Sequence, residues 1–177
     1  MIYRGKNIYL RTITPNDVNL ILNWENNPDN WKISSITQPY TKQQITEFVN
    51  TNQDIYQHQQ LRLIICLTKN NQVIGNIDLF DFEPLHKRVG IGILIDKPYR
   101  NKGFAKQSIT LAEEYCQLIL DVKNMFCNIL EDNPHSIQLF TSLNYKKIAI
   151  KPQWHFHNNK WFDEGFYIKK LQTNQLT

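Results

Sequence analysis

The sequence predicts one α/β domain in which a mixed, mostly antiparallel sheet is flanked by helices. Its 177 residues match the size of an ordinary domain. Hydrophobic residues make up 41% of the chain and charged residues 20%, which is enough apolar material for a core and argues against disorder. Segments of alternating apolar character are interspersed with segments of helical periodicity, an order typical of a mixed α/β layout. We therefore expect residues 1–177 to form a single domain.

The first part of the chain is predicted to form a strand and two helices. Residues 8–13 are rich in strand formers, and Thr14-Pro15 after them is a helix-start signal. Residues 17–24 then show helical spacing of apolar residues, and the polar run 26–30 is expected to break that helix. A second helix is predicted from Lys42, with Thr41 as its cap.

Three consecutive antiparallel strands follow, and then the longest helix. The strands are predicted over residues 61–67, 73–82 and 89–95. After residue 98 the apolar period changes to 3.6, which predicts a helix of about five turns. Its buried stripe is Ala105, Ile109, Ala112, Cys116 and Ile119.

The remaining elements are a strand, a short helix and two closing strands. Residues 125–130 have a strand pattern and residues 135–143 a helical one. The closing strands are predicted over residues 146–150 and 162–171.

Charge and hydropathy exclude several classes of protein. The net charge is +4 without blocks of like charge, which does not indicate a nucleic-acid-binding arm. The longest apolar stretches, residues 63–67 and 91–95, are far shorter than the roughly 20 residues of a membrane span. The first residues lack the apolar segment of a signal peptide, so we expect a cytoplasmic protein. Cys66, Cys116 and Cys127 are far apart in apolar surroundings, which predicts buried, reduced thiols and no metal site.

A glycine turn between a buried strand and the long helix is the most informative feature of the sequence. The first amides of a helix have no internal partners, so a diphosphate can bind to the backbone between Arg100 and Lys106. Gly103 would allow close approach, and Lys102 would add positive charge. The alternative is a simple left-handed turn with solvated basic residues.

The segment Arg100-Asn101-Lys102-Gly103-Phe104-Ala105 resembles the Arg/Gln-x-x-Gly-x-Gly/Ala acyl-CoA signature of the GNAT N-acetyltransferases. The resemblance extends over residues 7–171, and Asn133 to Ser136 is similar to the Asn-x-x-Ser that opens the family's next helix. The segments 8–11 and 161–164 look most like ribosomal-protein N-terminal and polyamine acetyltransferases. The resemblance implies a GNAT-like fold in which the central parallel strands, residues 89–95 and 125–130, splay apart.

The same resemblance implies that acetyl-CoA is the cosubstrate. Its pantetheine arm would form hydrogen bonds with the unpaired backbone groups of the splayed strands. The resemblance places the oxyanion donor at the backbone amide of Leu94 or of Ile93. The implied cofactor-binding residues are Ile93, Leu94, Ile95, Arg100, Asn101, Lys102, Gly103, Phe104, Ala105, Lys106, Asn133, Ser136 and Phe140.

The sequence departs from the family pattern in three places. Phe140 stands where many relatives have a tyrosine that protonates the thiolate, so Ser136 is the candidate acid, with a helix cap as the alternative. Gly90 stands where relatives often have an acidic residue. Asn144-Tyr145 replaces the usual Gly-Phe, and we expect Asn144 to adopt the left-handed turn and Tyr145 to lie in the core.

The sequence does not single out a general base: Asp78, Asp81, Glu83 and His86 are candidates near the acceptor, with Asp81 taken as the catalytic candidate. The alternatives are that these are solvated charges and that an ordered water acts as the base. His155 and His157 share one face of an extended segment but make a poor metal site. Four aromatic residues wall the acceptor site or belong to the core: Trp24, Trp31, Tyr40 and Trp154.

These observations predict an enzyme that transfers acetyl from acetyl-CoA to a primary amine by direct attack, without metal. The acceptor would be a protein N-terminus, a polyamine or a small amine. The alternative is a non-catalytic acyl-CoA-binding sensor, suggested by Phe140 and by the lack of an obvious base. No nucleic acid or membrane partner is expected. Relatives of this kind often dimerise through their closing strands, which makes a homodimer one candidate for an oligomeric state that the sequence leaves open.

Overall fold

A computed structural model of the chain describes residues 3–31, 38–51 and 54–171. The strands are β1 (Tyr3–Arg4), β2 (Ile8–Thr12), β3 (Leu61–Leu67), β4 (Val73–Glu83), β5 (Arg88–Ile95), β6 (Asn124–Leu130), β7 (Lys146–His157) and β8 (Lys160–Lys170). The helices are α1 (Val18–Glu25), α2 (Pro28–Trp31), α3 (Lys42–Asn50), α4 (Ile55–His58), α5 (Phe104–Leu118) and α6 (Pro134–Thr141).

The eight strands form one mixed sheet, in the order β1-β2-β3-β4-β5-β6-β8-β7. Only β5 and β6 pair in parallel, and the other neighbouring strands are antiparallel. The predicted fold class is therefore confirmed. Contacts within the chain divide it into two compact units, residues 1–12 with 54–177 and residues 13–53.

The first unit contains the sheet and a continuous hydrophobic core on one of its faces. Side chains alternate across a strand, and Val89 and Ile91 of β5 lie in this core with Met125 and Cys127 of β6. The apolar stripe of α5, predicted from its periodicity, packs on them through Ile109, Ala112 and Cys116. The prediction for Ile119 is wrong, because α5 ends at Leu118 and Ile119 is 47% exposed beyond it. We call this the core face of the sheet and the opposite side its second face.

The second unit consists of α1, α2 and α3, with α1 packed against both of the others. Thr41 caps α3 as predicted, because its side chain accepts a hydrogen bond from the Gln44 amide. The expected helix break over residues 26–30 is wrong in part, since α2 begins at Pro28. Proline fits the first turn of a helix, where no amide hydrogen is required.

Other differences from the predicted elements lie at their ends. The apolar periodicity of the sequence does not predict β1 or α4, because each element is shorter than one amphipathic repeat. The strand predicted over residues 146–150 continues to His157, and its pairing with β8 shifts register between Lys151 and His155. None of the helices in the described ranges has the length and apolar character needed to cross a membrane.

Candidate active site

The central parallel strands separate after three paired positions. Arg88, Val89 and Gly90 of β5 lie opposite residues 124–126 of β6, and no further pairs are formed within these two described strands. Residues 91–95 and 127–130 therefore border a gap in the sheet, as the family resemblance implied. Backbone groups that face such a gap lack sheet partners and require another hydrogen-bonding group.

The direction of each amide in β5 follows from the ladder with β4. The Asp96 amide donates to the Ile74 carbonyl oxygen at 2.9 Å, and the register is regular from Gly75 opposite Ile95 to Phe80 opposite Gly90. Backbone groups alternate in direction along an antiparallel strand, so the amide and carbonyl of Leu94 face β4.

Gly75 gives independent support, because a Cβ there would collide with the Leu94 carbonyl oxygen. It follows that Ile93 directs its amide and carbonyl into the gap. Of the two residues that the sequence left open for the oxyanion donor, the structure favours Ile93 over Leu94.

The turn after β5 presents the amino end of α5. Gly103 adopts the left-handed conformation with φ of 77°, and a Cβ there would meet only Gln107 Nε2 at 4.0 Å, so the space before the helix is open. The Gln107 amide donates to the Gly103 carbonyl at 3.2 Å. The amides of Phe104, Ala105 and Lys106 precede this first helical bond and are directed outward. This arrangement fits a diphosphate.

The basic residues of the turn differ in what they contact. Arg100 Nε donates to the Ile95 carbonyl at 2.8 Å, which ties the turn to the end of β5. Lys102 Nζ donates to the Pro98 carbonyl at 2.7 Å and lies over the Tyr99 ring. Lys106 is exposed on the first turn of α5, and Asn101 adopts a left-handed conformation before it.

We expect Arg100→Ala to weaken acetyl-CoA binding by about 1 to 3 kcal/mol, since a charge-assisted contact is lost while the helix amides remain. Isothermal titration calorimetry measures this change. Lys97→Ala removes an exposed lysine from the same turn and is the matched control, with an unchanged dissociation constant. Equal effects of the two variants would contradict a specific contact by Arg100.

At α6 the structure separates the cap from the candidate acid. Asn133 is the N-cap, because its Oδ1 accepts a hydrogen bond from the Ser136 amide at 3.1 Å. Ser136 lies inside the first turn and is half-buried, and its hydroxyl makes no hydrogen bond to the described residues. The alternative that Ser136 is a helix cap is therefore wrong, and its hydroxyl is available for chemistry.

Phe140, expected at the cofactor, is part of the hydrophobic core. Its side chain is 3% exposed and its ring packs edge-on against Tyr145, with centroids 5.0 Å apart. Tyr145 is buried and Asn144 has φ of 68°, so both predictions for this turn are confirmed. The structure gives Phe140 a packing role, because a ring closed off by core residues has little surface for a ligand.

We expect Phe140→Tyr to lower the free energy of unfolding by about 1 to 3 kcal/mol, because the new hydroxyl would be buried without a designed partner. Urea denaturation measures the change. Phe140→Leu, which introduces no polar atom, is the comparison for packing alone. Unchanged stability together with faster turnover would show instead that the hydroxyl reaches the reacting atoms.

The candidate bases lie at different heights along β4. Asp81 is exposed at a bulge with φ of 48°, level with the beginning of β5. Along β5, the position beside Asp81 lies four residues before Ile93, and four residues of strand span roughly 13 Å. Asp81 is thus too distant to take a proton directly from an amine at Ile93. Asp78 lies opposite Gly92 but is held by Arg62 Nη2 at 3.0 Å and by Asn76 Nδ2 at 3.0 Å.

A buried carboxylate on β8 is a feature that the sequence analysis missed. Glu164 Oε2 lies 2.6 Å from His155 Nε2, and Glu164 Oε1 accepts from Lys151 Nζ at 2.8 Å. These groups are brought together by the β7–β8 pairing, whose register shifts between Lys151 and His155. In the sequence, the available signal was the acidic pair Asp163-Glu164 in the run 161–164.

The aromatic residues proposed as walls have different environments. Trp24 is buried in α1, whereas Tyr40 and Trp154 are exposed. The Trp31 side chain lies outside the described part of the chain. Trp24 therefore fits the core alternative, and Trp154 lies beneath the Lys151 ammonium at 5.3 Å.

The three cysteines are free and buried, as predicted. Burial raises the pKa of the Cys127 thiol, so the thiolate needed for nucleophilic attack is disfavoured. Within the described ranges, no three His, Cys, Asp or Glu side chains are grouped so that they could hold a metal ion.

Comparison with known proteins identifies the family. Residues 7–146 match the family model described as an acetyltransferase (GNAT) domain. The chain belongs to the GNAT acetyltransferase family. It is therefore an acetyl-CoA-dependent N-acetyltransferase, as predicted, and membership favours this activity over a non-catalytic sensor.

Two curated relatives and one solved structure illustrate the similarity. An SPbeta prophage-derived uncharacterized N-acetyltransferase of Bacillus subtilis is 26% identical over 145 residues, which cover 82% of this chain and 79% of the relative. A spermidine N(1)-acetyltransferase of Vibrio cholerae is 24% identical over 169 residues and 94% of each chain. The crystal structure of the Vibrio cholerae spermidine N-acetyltransferase with CoA and spermine superposes with a TM-score of 0.84 at 20% identity, covering 94% of this chain and 96% of the other.

Proposed function

We propose that this enzyme acetylates a primary amine by direct attack in the gap between β5 and β6. The observation that carries the proposal is the direction of the Ile93 amide, which faces this gap without a strand partner. Bound acetyl-CoA supplies the acetyl group as a thioester. The Ile93 amide donates to the carbonyl oxygen and stabilises the negative charge that develops there.

The cofactor's diphosphate binds at the amino end of α5. The amides of Phe104, Ala105 and Lys106 point outward there, and the helix dipole favours an anion. Arg100 closes the turn against Ile95 and adds positive charge. Gly103 leaves the approach open.

Proton transfer is assigned to Ser136 on the thiolate side. Its hydroxyl makes no hydrogen bond to the described residues. Ser136 lies on the first turn of α6, the helix that follows β6, and β6 borders the gap. Ser136 gives a proton to the departing sulfur, directly or through one water, and its hydroxyl regains a proton from solvent. On the amine side, a water molecule takes the proton that the attacking nitrogen releases. The proton passes through further water to bulk solvent or to Asp81 at the bulge.

The activity is tested by measuring CoA release from acetyl-CoA with three groups of amines, namely polyamines, peptides with free N-termini and small amines. Mass spectrometry of the products identifies the acetylated nitrogen. Saturable, amine-dependent release is expected for at least one group. Acetyl-CoA binding without release for any amine would contradict the proposal.

We also propose that a homodimer forms through β7 at the edge of the sheet. Five large apolar side chains of β7 and β8 are more than half exposed: Ile148, Ile150, Trp154, Phe156 and Trp161. Such a patch on an edge strand favours self-association.

We expect Trp161→Asp to convert a dimer into a monomer, because a carboxylate cannot be buried unpaired in an apolar interface. Light scattering coupled to size-exclusion chromatography measures the mass. Leu118→Asp, at an equally exposed site on α5, is the control and should leave the dimer intact. A monomeric wild-type protein would refute the assignment.

A further inference from the structure

The core face of the sheet is closed to an acceptor beside the gap. Val89 and Ile91 of β5, with Met125 and Cys127 of β6, are all at most 2% exposed there. If acetyl transfer occurs at Ile93, as proposed above, the amine must reach the gap across the second face. The chemistry of that face therefore selects the acceptor.

Three aromatic rings form a row across the second face. The rings of Phe80 and Phe126 meet edge-on with centroids 5.6 Å apart, and those of Phe126 and Phe166 are 5.5 Å apart. A Cβ at Gly90 would collide with the Phe80 ring, so the missing side chain allows this ring to lie across β5. The position where relatives often have an acidic residue is thus covered by an aromatic ring.

Phe126 and Phe166 also line an open cleft of about 660 Å³ at the paired ends of β5 and β6. Phe126, Phe166 and Ile168 contribute apolar surface to it. Its other lining residues include Asp81 and Glu83 but also Arg88 and Lys170, so the charges of both signs balance.

Two carboxylates that flank the row are paired with the protein's own cations. Asp78 is paired with Arg62 on one side, and Glu164 is paired with Lys151 on the other. A polycation would require several carboxylates free to receive it, and these two are occupied by the protein's own cations.

We infer that the acceptor is a monoamine carrying an aromatic or large aliphatic group that packs on the row Phe80–Phe126–Phe166. This inference rests on the proposed function. Phe126 lies opposite Gly90, and Gly90 precedes Ile93 by three residues of β5, which span roughly 10 Å. That distance suits an arylalkylamine or the first residues of a peptide with apolar side chains, and both present the same chemistry.

The test compares kcat/KM for tryptamine, a tetrapeptide with apolar N-terminal residues, and spermidine. We expect kcat/KM for tryptamine or for the peptide to exceed that for spermidine by about 10-fold or more. The substrate with the higher kcat/KM identifies whether the apolar amine is a small molecule or a peptide. Phe126→Ala should lower kcat/KM for that substrate by about 10-fold through KM, with kcat within 3-fold, because ring contact is ground-state binding. Leu118→Ala, an exposed site on α5, is the control.

The outcomes separate the two proposals. A preference for spermidine, or an equal effect of Phe126→Ala on spermidine and tryptamine, overturns this inference and leaves acetyl transfer to an amine in place. No turnover with any amine overturns both. Acetyl-CoA affinity within 3-fold of wild type verifies that Phe126→Ala is folded, and Phe126→Leu, which keeps apolar volume without the ring, replaces it otherwise.

Discussion

Gly103→Glu is expected to raise the dissociation constant for acetyl-CoA by about 100-fold or more, equivalent to roughly 3 kcal/mol. The carboxylate would lie in the open space before α5, where the diphosphate meets the amides of residues 104–106. Charge repulsion and steric exclusion act together there. Isothermal titration calorimetry measures the affinity, and circular dichroism verifies that the fold is retained.

Gly103→Asn is the matched control for backbone strain. The φ of 77° at this position is tolerated by asparagine better than by other residues with a side chain, and asparagine adds no charge. We expect this variant to lose less than about 10-fold in affinity, a smaller effect because the electrostatic component is absent. If folded Gly103→Glu binds acetyl-CoA as tightly as wild type, the diphosphate does not bind at this helix end.

Ser136→Ala is expected to lower the rate at saturating substrate by about 10-fold or more, since general acid catalysis typically contributes about 10² to 10⁴. Affinity for acetyl-CoA should stay within a few-fold, because the hydroxyl acts on the departing sulfur. The free energy of unfolding should be almost unchanged, as Ser136 is not the cap of α6. Steady-state kinetics and urea denaturation measure the two quantities.

Asn133→Ala is the complementary control, because it removes the side chain that accepts a hydrogen bond from the Ser136 amide. A lost cap costs about 1 kcal/mol in unfolding, and the turnover of the folded fraction at saturating acetyl-CoA should be preserved. Full turnover by folded Ser136→Ala would eliminate Ser136 as the acid and leave water to protonate the thiolate.

Local pattern was sufficient to predict much of the fold. The apolar stripe of α5 as far as Cys116 and the strand over residues 61–67 depend only on side-chain spacing, and both are present in the structure. The left-handed turn at Asn144 was likewise predictable from the residue type. The extension of β7 to His157 was missed because a register shift interrupts its alternation.

The finer geometry of the site depends on register and tertiary packing. Ile93 could be separated from Leu94 only when the pairing of Asp96 with Ile74 fixed the direction of each amide. The burial of Phe140 follows from its contact with Tyr145, which single-residue patterns do not encode. Likewise, Phe80 over Gly90 joins positions ten residues apart through a cross-strand contact.

The gap between β5 and β6 also couples acetyl-CoA binding to the stability of the folded chain. A ligand that binds only the native chain stabilises it by RT ln(1 + [L]/Kd), so each tenfold rise in acetyl-CoA above its dissociation constant adds about 1.4 kcal/mol. When acetyl-CoA is scarce, the backbone along residues 91–95 loses this support and is more accessible to proteases. Resistance of the purified chain to proteolysis should therefore rise with the concentration of acetyl-CoA.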